Sequence, residues 1–162
     1  MKTLTLLRHA TAVQNVQMED IDRELAPQAE DEVASIINQW ENKDKIERVL
    51  CSTAKRTRQT YEMIKMFLPA EHKAIFLPEL YNAGAQHMRD FIAIEGEGAE
   101  HILTIGHNPG IHQLALKLSH NARAIERGYP PAALTILEFK GSNWGELNRP
   151  NCHLLQFIEP RI

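Results

Sequence analysis

The sequence predicts an α/β fold, a three-layer α/β/α sandwich around a mostly parallel central sheet. Short apolar runs alternate with segments of helical periodicity along the chain, and this alternation is typical of helices that pack on both faces of a parallel sheet. The composition, 43% hydrophobic and 24% charged, is that of an ordinary globular protein. A length of 162 residues suits one domain, so a single domain over residues 1–162 is expected.

The predicted elements follow in order along the chain. The apolar run at 4–7 predicts a buried first strand. Apolar residues at helical spacing between 29 and 40 predict the first helix. Later strands are predicted at 49–51, 74–77, 102–105, 134–139 and 153–158, and later helices within 57–68, 88–92 and 111–118. The glycine-containing segment 141–145 predicts a hairpin connection between the last two strands.

Charge and residue spacing exclude several classes of protein. The net charge of −3 gives no basic surface for nucleic acid or membranes. The apolar runs are too short to span a bilayer, and the first residues lack a signal-peptide pattern, so a cytoplasmic location is expected. Cys51 and Cys152 belong to no C-x-x-C pair, and no two histidines have metal-ligand spacing, so no metal or other cofactor is predicted.

Polar clusters follow three of the predicted strands: Arg8-His9, the segment 52–59, and Gly106-His107-Asn108. Ligands of open α/β sheets bind in the crevice beyond the carboxyl ends of the strands. One such cluster alone is typical of a strand's exit into solvent. Three of them, expected at the same edge of the sheet, favour a functional site there.

The cations of the second cluster indicate an anionic ligand. Ser52 or Thr53 is predicted to cap the helix that follows, and Lys55, Arg56 and Arg58 place three cations in its first turns. Cations at a helix N-terminus oppose the helix dipole, and a bound phosphate removes that conflict. Residues two apart do not share a helix face, so at most one or two of the three cations should face the crevice.

His107 is predicted to lie at the mouth of the crevice, between a strand and an amphipathic helix. Asn108 is a candidate cap for that helix, and Pro109 suits its first position. The expected position of His107, beside the arginines of the other clusters, favours a role for this histidine as a phosphate ligand. His112, by contrast, falls off the apolar stripe of its helix and is expected to be solvated.

These motifs resemble those of the histidine phosphatase superfamily, also called the phosphoglycerate mutase-like family, and most of all its short bacterial SixA-type phosphohistidine phosphatases. The segments that carry the resemblance are Leu7-Arg8-His9-Ala10 for R-H-G/A, 52–60 for S-P-x-x-R-A-x-Q-T, Gly106-His107-Asn108 for the second catalytic histidine, Asp22-Arg23-Glu24-Leu25 for D-x-R-P-L, and Leu77-Pro78-Glu79-Leu80 for L-P-E-L. The matches span nearly the whole chain in the family's order. The departures, Thr53, Thr57 and Glu24, remove no nucleophile and no positive charge.

The resemblance implies a phosphatase that works through a phosphohistidine intermediate on His9. The residues it implies at the phosphoryl oxygens are Arg8, Arg56 and His107, with Arg23 and Asn108 as further candidate ligands. Cations around His9 should lower its pKa and keep it neutral. Glu79 is the candidate general acid, and a loop carboxylate in water is an equal alternative for this residue. The resemblance implies no metal and no cofactor.

The resemblance favours a protein-borne phosphohistidine as substrate, with a histidine-phosphotransfer domain of two-component signalling as a candidate partner. A short chain has little room for a lid, which predicts an open groove. Two alternatives remain: a small-molecule phosphatase or mutase of the same superfamily, and a non-catalytic phosphate-binding module. The second alternative predicts loss of Arg8, His9 or His107, and the sequence has all three. No oligomeric state is predicted.

Overall fold

The computed structural model describes residues 1–15 and 17–162, and six strands form one sheet at its centre. The strands are β1 (Lys2–Arg8), β2 (Arg48–Ser52), β3 (Lys73–Leu77), β4 (His101–Gly106), β5 (Leu134–Phe139) and β6 (Cys152–Ile158). Their order across the sheet is β3-β2-β4-β1-β5-β6. The first four strands pair in parallel, whereas β5 pairs antiparallel with both β1 and β6. The mostly parallel sheet is therefore confirmed.

The helices include α1 (Ala29–Gln39), α2 (Lys55–Ile64), α3 (Ala85–Glu95), α4 (Gly110–Leu118) and α5 (Arg123–Glu126). The first four match the predicted helices. The fifth has four residues, too few to show a periodic pattern in the sequence. Single 3₁₀ turns at Asp20–Asp22 and Pro78–Leu80 lie in the connections that reach the carboxyl edge of the sheet.

Two hydrophobic clusters, one on each face of the sheet, hold the layers together. Leu4 and Leu6 of β1 pack in one cluster with residues of α3 and α4. Leu7 packs in the other cluster with residues of α1 and α2. This division follows from the alternation of side chains along a strand, and it confirms the three-layer arrangement.

The connection from β5 to β6 joins two antiparallel neighbours, as predicted for a hairpin. It is longer than a tight turn, since it contains 3₁₀ turns at Trp144–Glu146 and Arg149–Asn151. Trp144 is buried and donates its indole N–H to the Ala99 carbonyl at 2.8 Å. Within the described residues, none of the helices has the length and apolar character needed to cross a membrane.

The strands β2, β4 and β1 are adjacent and parallel, so their carboxyl ends lie side by side. The three polar clusters predicted from the sequence follow these strands. The topology thus places the residues after Arg8, Ser52 and Gly106 at one edge of the sheet.

Candidate active site

His9 lies directly after β1, with 7% of its surface exposed. Its backbone N–H donates to the Gly106 carbonyl at 3.2 Å, which ties it to the end of β4. Its ring Nδ1 lies 2.6 Å from the Ala10 carbonyl oxygen. Because a carbonyl oxygen only accepts hydrogen bonds, Nδ1 carries the proton. The other ring nitrogen, Nε2, is left with a free electron pair.

The surroundings of His9 favour its neutral form. Burial, together with the smaller effects of the charges on Arg56, Arg8 and Arg23, lowers the pKa of His9 to about 4. The hydrogen bond to the Ala10 carbonyl opposes these effects. At neutral pH the imidazole is therefore unprotonated at Nε2, as a nucleophile requires.

Arg56, in the first turn of α2, is the cation of the second cluster that faces His9. It is 5% exposed, and its Nε donates to His9 Nε2 at 3.3 Å. Lys55 instead forms an ion pair with Glu24 at 2.7 Å. Arg58 lies over the ring of Phe76 at 4.4 Å. One of the three cations faces the site, in agreement with the prediction from helix geometry.

His107 follows β4 and lies opposite His9, with 5.3 Å between the two ring centroids. Its Nε2 forms a 2.8 Å hydrogen bond with the Ser52 hydroxyl. The ring of Tyr81 packs edge-on against it, with the centroids 5.5 Å apart. Burial and the neighbouring His9 and Arg56 lower the pKa of His107 to about 3, so this ring is also neutral at pH 7.

Arg8 and Asn108, which each precede or follow a histidine of the site, share one backbone acceptor. Arg8 Nη1 and Asn108 Nδ2 each donate to the Tyr129 carbonyl at 2.9 Å. Three buried side-chain atoms of the described residues at this site lack a hydrogen-bond partner: Arg8 Nε, His107 Nδ1 and Asn108 Oδ1. Buried polar atoms normally have partners, so these three are exceptions within the site.

Arg23 reaches the site through Asp20. Its Nε donates to Asp20 Oδ1 at 2.9 Å and its Nη1 to the Val13 carbonyl at 3.0 Å. Asp20 in turn accepts from Arg56, through its backbone oxygen at 2.7 Å and through Oδ2 at 3.1 Å. Arg23 therefore lies behind Arg56, with Asp20 between the two guanidinium groups.

Glu79 lies on the turn after β3, where it is exposed to solvent. Among the hydrogen bonds and ion pairs of residues 1–15 and 17–162, none joins Glu79 to a histidine or arginine of the site. Tyr81, two residues further on, is the residue of this turn that contacts His107. The role of Glu79 as general acid stays a prediction.

The described residues contain no group of three or more His, Cys, Asp or Glu side chains placed to hold a metal ion. A cavity of about 880 Å³ is lined by Arg8 and Asn108, whereas neither His9 nor His107 lines it. Tyr129, Phe157 and Arg127 also line it. The cavity therefore adjoins the candidate site at Arg8 and Asn108 only.

Two capping predictions are wrong. The N-cap residue of α2 is Ala54, and that of α4 is Pro109, each without a side-chain cap. The Ser52 hydroxyl accepts from the N–H of Ala54 at 3.3 Å and also bonds His107, and Asn108 donates to the Tyr129 carbonyl.

The expected solvation of His112 is also wrong. Its Nε2 bonds the Ile125 carbonyl at 2.7 Å, and its ring stacks on Tyr129. The carbonyl that it reaches belongs to α5, the helix that periodicity could not predict. The sequence pattern therefore did not predict that Ile125 of α5 contacts His112.

Asp20 and Tyr81 were not identified as site residues from the sequence. Both were within reach of the motifs, since Asp20 lies three residues before Arg23 and Tyr81 directly follows Leu80. No sequence pattern predicted that these two residues lie next to each other in the fold. Their contacts join parts of the chain that are 36 and 61 residues apart.

Comparison with known proteins supports the resemblance seen in the motifs. Residues 4–94, more than half of the chain, match the family model of the histidine phosphatase superfamily, branch 1. An uncharacterized protein of Mycobacterium leprae is 30% identical over 150 residues, covering 88% of this chain and 89% of the relative.

Solved structures agree with this match. A protein described as phosphohistidine phosphatase SixA from Nakamurella multipartitia has 25% identity and a TM-score of 0.80, with 99% of this chain and 97% of that chain covered. A protein described in the same way from Agrobacterium tumefaciens has 25% identity and a TM-score of 0.75, with 98% and 99% covered. The fold is phosphoglycerate mutase-like.

The family match covers most of the strand that precedes His9 and the helix that presents Arg56. The likeness to SixA structures extends over the rest of the chain, including the β4 edge that holds His107. The chain belongs to branch 1 of the histidine phosphatase superfamily and is SixA-like.

Proposed function

We propose that this protein hydrolyses a phosphohistidine carried by another protein, through a phosphohistidine intermediate on its own His9. The observation that supports this most directly is the state of the His9 ring. The Ala10 carbonyl holds the proton on Nδ1, and the free pair of Nε2 faces Arg56 and the opposite ring of His107. A fixed nucleophile with a cation beside its reactive atom is suited to attack on a phosphoryl group.

In the first step, the electron pair of His9 Nε2 forms a bond to phosphorus. The bond from phosphorus to the leaving group breaks, and its electron pair goes to that group. Arg56, Arg8 and His107 bind the phosphoryl oxygens and spread the negative charge of the transition state. Charge-assisted hydrogen bonds of this kind contribute about 1.5–3 kcal/mol each, and they increase the rate where they bind the transition state better than the substrate.

In the second step, water attacks the phosphorus of phosphorylated His9. The bond from phosphorus to Nε2 breaks and its electron pair returns to the ring, while the proton of water passes to the phosphate product. The proton on Nδ1 assists this step, because the ring then leaves as a neutral imidazole rather than as an imidazolate anion.

The acids at the site favour a nitrogen leaving group over an alcohol. The carboxyl group bound to Arg56 is that of Asp20, whose pKa is lowered to about 2 by the Tyr81 hydrogen bond and the two arginines. It is ionised at neutral pH and has no proton to give. Burial raises the pKa of the Tyr81 phenol, which already donates to Asp20. A phosphohistidine can take a proton from solvent on its second ring nitrogen and leave as neutral imidazole, whereas an alkoxide needs an acid.

The groove that adjoins the site supports a large substrate. It begins at Arg8 and Asn108, which belong to the site, and continues past Tyr129 to Arg127. A folded partner that carries a phosphohistidine, such as a histidine-phosphotransfer domain, can contact this groove next to Arg8. The likeness to structures described as SixA phosphohistidine phosphatases agrees with such a substrate.

The test compares two kinds of substrate on the same enzyme. We expect release of phosphate from a histidine-phosphotransfer domain phosphorylated on its histidine, with kcat/KM well above the values for a panel of sugar phosphates. Wild-type protein quenched during turnover should hold acid-labile, base-stable phosphate on His9. A chelator of divalent metals should leave the rate unchanged.

The variants His9→Ala and His153→Ala make a matched pair, since His153 is exposed on β6, away from the carboxyl edge. His9→Ala should lower kcat by roughly 10⁴-fold or more, and His153→Ala should match the wild type. Equal turnover by His9→Ala would show that the nucleophile is wrong. A preference for sugar phosphates would assign the protein to the small-molecule alternative.

A further inference from the structure

We infer that Asp20 is a positioning residue that holds the Arg56 guanidinium so that its Nε edge faces the phosphoryl group at His9. This inference rests on the proposed function, because it concerns how the same site binds its phosphoryl group. Asp20 lies on the 3₁₀ turn Asp20–Asp22, outside the strand ends that form the rest of the site.

A guanidinium group has two edges that can bind an anion in bidentate fashion. One edge carries Nη1 and Nη2, and the other carries Nε and Nη2. Asp20 takes the first edge of Arg56, with its backbone oxygen 2.7 Å from Nη1 and its carboxylate Oδ2 3.1 Å from Nη2. The second edge is turned toward His9, where Nε lies 3.3 Å from Nε2. The oxygens of a phosphoryl group that His9 attacks are within reach of that edge.

Three side chains donate hydrogen bonds to the Asp20 carboxylate. Arg23 donates to Oδ1 at 2.9 Å, and the Tyr81 hydroxyl and Arg56 both donate to Oδ2. Arg23 is anchored in turn on the Val13 carbonyl. The carboxylate is 54% exposed, yet each of its oxygens has a fixed donor. Such an acceptor can fix the plane of a guanidinium group that one hydrogen bond alone would leave free to turn.

Tyr81 follows the 3₁₀ turn after β3 and contacts both Arg56 and Asp20. Its ring lies 5.7 Å from the Arg56 guanidinium carbon and 5.5 Å from the centroid of His107. Its hydroxyl donates to Asp20. One side chain thus contacts the arginine, the second histidine and the carboxylate that holds the arginine, which makes Tyr81 the natural second position at which to test the inference.

The experiment measures Asp20→Asn and Asp20→Ala against Asp22→Asn. Asp22 lies on the same turn and is exposed, so this control makes the same change of charge two residues away. Misplacement of a binding group by about 1 Å can cost 10²-fold in rate. We therefore expect both Asp20 variants to lower kcat by about 10-fold to 100-fold with a smaller change in KM. Asp22→Asn should match the wild type.

Equilibrium binding provides a readout that does not depend on turnover. Orthovanadate adopts the five-coordinate geometry of phosphoryl transfer, and orthophosphate does not. The Asp20 variants should lose more affinity for orthovanadate than for orthophosphate, and Tyr81→Phe, which keeps the ring, should lose less than either. Circular dichroism checks that each variant is folded.

Two results would overturn the inference. Tighter binding of both anions by the Asp20 variants would show that Asp20 competes for the phosphate position. Values equal to those of Asp22→Asn would show that Asp20 has no part in the site. The proposed function fails separately, if His9→Ala keeps its activity, and the anion-binding comparison still applies in that case.

Discussion

At the scale of single residues, the protonation of the two histidines follows from burial and from nearby cations acting together. Burial is the largest cause of the lowered pKa of both rings, and Arg56 and Arg8 act in the same direction on each. A cation beside a buried imidazole stabilises the neutral ring and disfavours the charged one. The arginines that are proposed to bind phosphate therefore also keep His9, the proposed nucleophile, neutral.

This leads to a prediction for the titration of His9. In an NMR titration of the ring signals, with His9→Ala for assignment, His9 should titrate near pH 4 rather than near 6.5. Arg56→Gln removes a neighbouring positive charge, so the midpoint should move to higher pH in that variant. A wild-type midpoint at or above pH 6 would contradict the proposed environment of His9.

At the scale of elements, the first turn of α4 is fixed against the segment that precedes α3. A Cβ added to Gly110 would lie far inside van der Waals contact with the Ala83 carbonyl oxygen. Glycine at this position lets the two backbones approach closely. His107 comes just before α4, and Tyr81 just before Ala83. The close approach thus sets the distance between two side chains of the site.

The variant Gly110→Ala tests this contact. The added methyl group must push α4 away from Ala83, so we expect a loss of about 1–3 kcal/mol in the free energy of unfolding, typical of overpacking. Gly84→Ala is the control, because a Cβ there meets no atom within 4 Å. It should cost less than about 1 kcal/mol, since only a preference at the N-cap of α3 changes. Urea denaturation of both variants measures the difference, and equal losses would argue against the contact.

The elements also show what could be predicted from the sequence. Six strands and four helices were predicted because each is long enough to show an apolar period, whereas the four residues of α5 are not. The predicted cap of α2 was wrong in position, because the N-cap residue is Ala54 and the Ser52 hydroxyl accepts from the Ala54 N–H, ahead of the helix. The same hydroxyl also bonds His107, 55 residues away. Local rules of helix capping do not predict such distant partners.

At the scale of the whole molecule, the sheet topology explains why motifs brought most of the site together and missed part of it. The strands β2, β4 and β1 are neighbours, so residues that follow them in the sequence meet by the geometry of the sheet alone. Arg8, His9, Arg56 and His107 could be predicted for that reason. Asp20 comes from a connection, whose path over the edge is fixed by its contacts with Arg56 and Tyr81 rather than by any strand.

The two neutral histidines also affect the stability of the whole fold. Their pKa values, about 4 and about 3, lie below the ordinary value of 6.5 expected in the unfolded chain. Below about pH 6.5 the unfolded chain binds protons that the folded protein does not, so the free energy of unfolding decreases as the pH falls toward 4. The full stability contributed by these neutral rings is present above pH 6.5.

Urea denaturation between pH 7 and pH 5 should therefore show a midpoint that falls with pH in the wild type. His107→Gln removes one of the two groups, so the pH dependence of its unfolding free energy should be smaller by up to about 1.4 kcal/mol per pH unit. The comparison uses slopes rather than absolute stabilities, so a packing defect in the variant does not affect it. Identical slopes in the two proteins would mean that His107 is not held neutral in the folded state. Its proposed role would then have to be that of a charged phosphate ligand.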